Sequence, residues 1–308
     1  MIDGSSRMPR SDFRAHLSAA VAGGLFGASA VAVRVVVQEI PPISLALLRF
    51  GQGALWLVAI LAVFSPGLLR VKRSDLPLLA LLGVILFALS PVAFNVGLRW
   101  TEASRAAVML ATLPLWSSWL ASRLARERLS GRQFGGLVLS VVGVALAVFD
   151  PGRALHSDGL MLLGDGLMLL SAISGAVYGV LAQPALKLYE PVTVTAYAML
   201  LGGLALTPIA FAEGVGSAVG RLDGRLLALL VFLGLFCGAL AFLLWTTALS
   251  RLTPTHVAVY VNFNPIVAAL LGVLLLSERR SLVFVLGFIT TIAGVLLANW
   301  PVQQSQRR

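Results

Sequence analysis

Residues 15–147 of the chain recur 151 positions later, in register and without a gap. Gly24 pairs with Gly175, Gly51 with Gly202, Gly83 with Gly234 and Pro114 with Pro265. Beyond the proline both copies keep one frame. The first reads Glu127-Arg128-x-Ser130, Gly136, then Gly143-Val144-x-Leu146-Ala147. The second reads Glu278-Arg279-x-Ser281, Gly287, then Gly294-Val295-x-Leu297-Ala298. Each copy contains five long apolar stretches. If these are membrane spans, two homologous units with an odd span count must lie upside down relative to each other, the arrangement of alternating-access transporters.

Charge composition supports the spans. Only 12% of the 308 residues are charged and 58% are apolar, against about 25% charged in an average soluble domain. Ten stretches of at least 17 residues lack Asp, Glu, Lys and Arg: 15–33, 50–69, 76–98, 106–122, 133–149, 166–186, 191–212, 226–250, 252–277 and 281–306. A spanning helix needs about 20 mainly apolar residues. These runs are apolar on every face, whereas barrel strands alternate. The expected fold is therefore an all-α polytopic membrane protein with ten transmembrane helices in two inverted five-helix repeats.

The same reading divides the chain into a disordered cytoplasmic N-terminus (1–14), a first repeat (15–149), a linker (150–158), a second repeat (159–300) and a short cytoplasmic tail (301–308). Residues 15–36 are expected to be a retained first helix rather than a cleaved leader. With the N-terminus cytoplasmic, fourteen Lys and Arg fall inside and eight outside, Arg49 being left out because it lies within a span. The excess favours both termini in the cytoplasm of a plasma-membrane protein. The net charge of +10 thus reads as topology information, not as a nucleic-acid face. The single cysteine, Cys237, excludes an intramolecular disulfide. His16, His156 and His256 are scattered, so no metal-ligand spacing occurs, and no GxxxxGK[ST] loop is present. Neither a cofactor nor a metal is expected.

Several motifs resemble one family. Pro114 followed by Glu127-Arg128, the Gly136/Gly143 pair and their second-copy equivalents are similar to the EamA domain of the drug/metabolite transporter superfamily. So are Ile40-Pro41-Pro42 leading to Leu48-Arg49-Phe50, and Leu240–Glu278 with Trp245, Ala248-Leu249 and Asn264-Pro265. The resemblance covers about residues 15–300. A departure is Gly23-Gly24-Leu25-Phe26, where the family often has a tryptophan before the glycine. The resemblance implies two five-span domains and transport of a small metabolite, frequently export of amino acids.

A polar side chain in hydrocarbon must find a partner or line water, which selects candidates for a substrate path. Arg49, Gln52 and Trp56 share one face of the second span. Arg49 could hold a carboxylate bidentately, or snorkel and pair with Glu39. Tyr260 and Asn264, with His256, share a face of the ninth span. Pro265 frees the carbonyl of Val261, so Asn262 and Asn264 could satisfy loosened backbone or line the path. Pro114 is expected to bend the fourth span as Pro265 bends the ninth, with Trp116 nearby. Asn95, Ser171, Ser174, Tyr178 and Trp245 complete the set, though each taken alone reads first as interhelical glue. Glu127, Arg128, Glu278 and Arg279 could clamp gates or anchor the interface. The stripes Gly136/Gly143 and Gly287/Gly294 read as a packing seam.

No acid lies deep in any span. Asp165 sits at the start of the sixth, and His256, itself near an end, is the one candidate proton site. The expected function is a secondary transporter, whether exporter, exchanger or facilitator, for a small organic metabolite such as an amino acid. The alternatives are a channel-like passive facilitator or, in a different class, an intramembrane enzyme. The sequence offers the enzyme no paired aspartates, HExxH or Ser–His set. The protein's partners would be the lipid bilayer and its small-molecule substrate.

Overall fold

Apolar runs bounded by proline, capping residues and glycine fold as helices, because the helix is one of only two structures that satisfy all backbone polar groups within a membrane. A computed structural model of the chain describes residues 10–100, 106, 109–124, 130–148, 159–264, 266, 267, 271 and 282–299. The helices in chain order are α1 (Arg10–Val36), α2 (Pro42–Phe64), α3 (Arg73–Gly97), α4 (Leu113–Leu124), α5 (Gly131–Val148), α6 (Gly159–Leu188), α7 (Pro191–Glu213), α8 (Gly224–Leu249), α9 (Pro254–Val259) and α10 (Leu282–Asn299). Among the described residues, six of them (α1, α2, α3, α6, α7 and α8) are long and apolar enough to cross a membrane; α5 and α10 contain shorter apolar helices.

The helix starts follow local chemistry. Pro42, Pro191 and Pro254 stand at the first positions of α2, α7 and α9, where the missing N–H is no loss. Asp223 caps α8 by accepting from Leu226 N at 2.7 Å, and α7 ends at Gly214, whose φ of 93° only glycine adopts freely. The start of α2 is capped from a distance. The carboxylate of Glu213, at the end of α7, accepts from Ser44 N at 2.6 Å, Ser44 Oγ at 2.9 Å and Ile43 N at 3.3 Å. At the other end of the same helix pair, Thr193 and Tyr197 donate to the carbonyls of Leu68 and Leu69. Tyr189 donates to Asp75 and accepts from Lys72 N. The Asp75 bond raises the Tyr189 phenol above its usual range.

Glycine decides how closely helices approach. A Cβ on Gly136 would run into the backbone of Ala298 and lie 2.8 Å from Gly294 O; one on Gly143 would lie 2.6 Å from Thr291 Oγ1. The α5–α10 seam is thus backbone against backbone. Gly83 of α3 and Gly202 of α7 meet likewise, a Cβ on Gly202 lying 2.5 Å from Gly83 O.

Repeat-related positions of α3 and α8 depart from α-geometry together. Val84–Leu89 and Phe232–Leu240 are π-helical, and Leu89 and Leu240, which end them, are equivalent positions. A π-turn widens the helix and displaces carbonyls from their usual partners. Beside the α8 segment, Gln52 of α2 donates to Leu230 O at 2.6 Å. It fits only because residue 234 is glycine, where a Cβ would collide with the Gln52 amide.

Two stability predictions follow from these contacts. Gly136→Val should cost roughly 1–3 kcal/mol by overpacking, read as a lower Tm of the detergent-solubilised protein. Its neighbour Gly135, with open space at its Cβ, should accept alanine without loss. Gly234→Ala should destabilise strongly on its own. Combined with Gln52→Ala it should lose at least ~0.5 kcal/mol less than the sum of the two single losses, and additive losses would show that the two residues do not meet.

Candidate functional site

Between these helices lies a cavity of about 140 Å³, close to the roughly 150 Å³ that accommodates benzene in an engineered core. Seven helical segments wall it. Phe26, Ser29 and Ala30 come from α1, Arg49 and Phe50 from α2, and Leu86, Ser90, Pro91, Phe94 and Asn95 from α3. Leu110 comes from just before α4 and Leu113 from its start, Ser171 and Gly175 from α6, Phe242 and Trp245 from α8, and Val261 and Asn264 from the α9 region. Four pairs of these are repeat equivalents: Pro91 with Phe242, Phe94 with Trp245, Leu110 with Val261, and Leu113 with Asn264.

The apolar wall is aromatic. Phe242 packs on Phe26 and on Phe87 at 4.9 Å between centroids and on Phe50 at 5.6 Å, and Phe26 meets Trp245 at 5.8 Å. Most of these contacts are tilted or edge-on, the favoured arrangements for rings. The polar wall is sparse. Ser90 and Ser171 share a hydrogen bond of 2.9 Å, and Asn95 Nδ2 donates to Pro42 O at 2.9 Å, fixing α3 to the start of α2.

Arg49 is the one charged residue on the wall among the described residues. It is 9% exposed. Its Nη2 donates to Cys237 O at 3.0 Å, a carbonyl within the π-segment of α8, and its guanidinium carbon lies 4.8 Å from the Phe50 ring centroid. Its Nε is buried without a partner. It does not pair with Glu39, which is exposed. Four N–H groups of a guanidinium therefore remain beyond the Cys237 bond, and a buried cation attracts an anion strongly at low dielectric.

The other sequence-expected residues divide. Asn95, Trp245 and Asn264 join Arg49 on the wall. Gln52 lies one turn away in its pocket against α8. Trp56 is 43% exposed and does not line the cavity: seven residues on from Arg49 it keeps nearly the same helix face but stands about two turns further along α2. Tyr178 is buried behind the wall, its hydroxyl 3.3 Å from Thr246 Oγ1. Trp116 donates to Thr112 Oγ1 at 3.1 Å, where the helical path pauses two residues before Pro114. Tyr260 bonds His16 Nδ1 at 2.9 Å, and Asn262 donates to Ser140 Oγ at 2.8 Å, joining α9 to α5. His256 stands apart from the cavity, its ring held by Thr253 Oγ1 and Gln133 Nε2, each at 2.9 Å. Asp165 is buried in α6, deeper than its position near a span end suggests. Pro265, Glu127, Arg128, Glu278 and Arg279 lie outside the described residues.

Sequence reasoning passed over Phe26, Phe50 and Phe242, since phenylalanine in an apolar helix carries no distinguishing signal. It also passed over the fit of α1 to α9. A Cβ on Gly23 would strike Tyr260 O, and one on Gly27 would lie 2.6 Å from Asn264 O, so these glycines admit the irregular backbone of Tyr260–Asn262, a 3₁₀ turn. The Gly23-Gly24-x-x-Gly27 spacing was the available clue.

Comparisons with known proteins agree with this architecture. A family model described as the EamA-like transporter family matches residues 13–149 and 162–300. An uncharacterized transporter of Archaeoglobus fulgidus is 31% identical over 93% of this chain and 97% of its own. A protein of Streptantibioticus cattleyicolor named "Probable terminal-alkyne amino-acid exporter" is 28% identical over 76% of each chain. One crystal structure superposes with a TM-score of 0.79 at 17% identity, covering 92% of this chain and 96% of that one, which speaks for the fold. The chain is a multi-pass membrane protein and belongs to the EamA-like transporter family.

Proposed function

We propose that this transporter moves a small organic metabolite bearing a carboxylate, an amino acid above all, across the plasma membrane by alternating access. Both termini face the cytoplasm, and ten spans form two inverted repeats over 15–149 and 159–300, joined by 150–158. The observation that carries the substrate class is the buried guanidinium of Arg49 on the cavity wall, with an unpartnered Nε and no carboxylate among the described lining residues. An uncompensated charge inside a membrane protein is expensive, and a substrate carboxylate would supply the missing partner through charge-assisted hydrogen bonds. The ring of Phe26, Phe242 and Trp245 suits an apolar side chain on the same substrate. The amino-acid exporter name of the Streptantibioticus cattleyicolor relative points the same way.

The inverted arrangement draws support from the packing. Contacts of α1 with α8 are matched by those of α3 with α6, their repeat equivalents, while α2 packs on α7 and α5 on α10. The lining contains no Asp, Glu or His among the described residues, which favours exchange or facilitated diffusion over proton coupling through the cavity.

Purified protein in proteoliposomes should show saturable amino-acid uptake that an imposed pH gradient leaves unchanged. Gradient-driven accumulation would contradict the uncoupled reading, and absence of uptake across the panel would remove amino acids as the substrate class. Arg49→Ala should lower the initial rate for carboxylate substrates about tenfold or more, the worth of one or two charge-assisted hydrogen bonds, at unchanged protein abundance. Uptake of the decarboxylated amine, where measurable, should fall far less. An equal fall for acid and amine would assign Arg49 to helix packing alone.

A further inference from the structure

A second hollow, sharing no residue with the central cavity, opens where three interhelical turns converge. It measures about 620 Å³ and is lined by Gly67, Leu68 and Arg70 after α2, by Leu186–Pro191 and Thr193 around the α6–α7 turn, and by Ser250 and Arg251 after α8. Each turn contributes one cation: Arg70, Lys187 and Arg251. None of the three side chains has a hydrogen bond or ion pair within the described structure. Among the described lining residues Glu190 is the single acid, so these carry two net positive charges. The 23-residue α7 begins here, and no side chain caps its first turn. The positive end of its dipole adds to the field. The hydroxyls nearby are already committed as donors, Thr193 to Leu68 O and Ser250 to Thr247 O. A ligand would therefore meet the groove chiefly through its cations.

Topology alone places cations near span ends, but it does not require one from each of three turns to surround a common polar hollow without partners. Arg221 and Arg225, at the turn before α8, line no part of it. We propose that the groove binds a phosphate group. A tetrahedral anion with several oxygens can engage three separated cations at once, whereas a planar carboxylate is served by a single guanidinium fork. Bound phosphate would tie the α2–α3, α6–α7 and α8–α9 turns together. The phosphate can come from an anionic lipid headgroup, because the charge distribution assigns this end to the cytoplasmic leaflet, where such lipids attract basic clusters. It can also come from a soluble phosphate compound.

The test uses the full-length protein and Arg70→Gln/Lys187→Gln/Arg251→Gln, with Arg221→Gln/Arg225→Gln as the control. Native mass spectrometry would read retention of phosphatidylglycerol against phosphatidylcholine. Thermal unfolding in phosphatidylcholine nanodiscs would read the Tm shift on adding inorganic phosphate, against chloride at equal ionic strength. The triple variant should lose about tenfold in preferential phosphatidylglycerol retention, or lose the phosphate-induced Tm shift, while the control keeps both. Loss of lipid retention alone identifies the headgroup, and loss of the Tm shift alone identifies soluble phosphate. Lys187→Gln and Arg251→Gln, measured singly, should each give part of the loss, which keeps the test decisive if the triple variant folds poorly. Equal retention and equal shifts in wild type and variants would overturn the proposal.

Discussion

The hydrogen bond from Arg49 to the carbonyl of Cys237 joins three features that would each be unfavourable alone. A guanidinium is buried in a membrane protein, a helix departs from α-geometry, and a hollow with a few polar groups opens among apolar helices. In hydrocarbon every backbone carbonyl needs a donor, and a π-segment displaces carbonyls from theirs. Arg49 and Gln52 supply donors to Cys237 and Leu230, so α2 and α8 depend on each other. Removing Arg49 would take one donor from the Cys237 carbonyl; straightening α8 would move that carbonyl relative to the guanidinium. The cost of burying the charge is thereby shared between a structural bond and a free set of donors facing the cavity.

Duplication explains where this arrangement came from and why it occurs once. The π-segments of α3 and α8 are repeat equivalents, so the widened turn belongs to both units. The residues facing it do not match. Arg49 and Gln52 of α2 correspond to Leu200 and Gly203 of α7. There the opposing helices approach through Gly83 and Gly202 instead of through side-chain amides and cations. One copy has only the glycine contact, the other adds polar donors beside its own Gly53–Gly234 approach, and the chemistry of the cavity is correspondingly lopsided although its framework is paired.

The helical framework was legible in the sequence because it rests on composition and spacing. Charge-free runs mark α1–α3 and α6–α8, prolines mark the starts of α2 and α7, and the Gly136/Gly143 stripe marks the seam with α10. Individual site residues were legible only where type and burial jointly constrain them. Arg49, Asn95, Trp245 and Asn264 stand out because a polar or bulky group in a span must go somewhere definite. Trp56 misled, since an aromatic on the right face at i+7 is equally comfortable against lipid. The phenylalanines and the π-segments left no trace, because aromatic packing is decided by tertiary partners and a π-turn by the sum of contacts around it. Glu213 capping α2 from 169 residues away is likewise a property of the folded pair.

The paired lining also says where the cavity sits. If the proposed inversion placed it on the symmetry axis, α1 and α6 would contribute equivalent residues. They do not: Phe26, Ser29 and Ala30 line it from α1, whereas Ser171 and Gly175 of α6 correspond to Ala20 and Gly24. In the shared register of the two repeats, the α1 residues are displaced toward the C-terminal end and the α6 residues toward the N-terminal end. Under inversion both displacements point the same way, to the end where α2 begins and Arg49 resides. Exchanging the roles of the two units would move the hollow toward the opposite end, bring Val177, Val180 and Leu181 onto its wall in place of Phe26, Ser29 and Ala30, and put Leu200 where Arg49 stands. A carboxylate held by Arg49 on one side would meet Leu200 and no equivalent cation on the other, so the affinity that captures a substrate would be absent where it is let go.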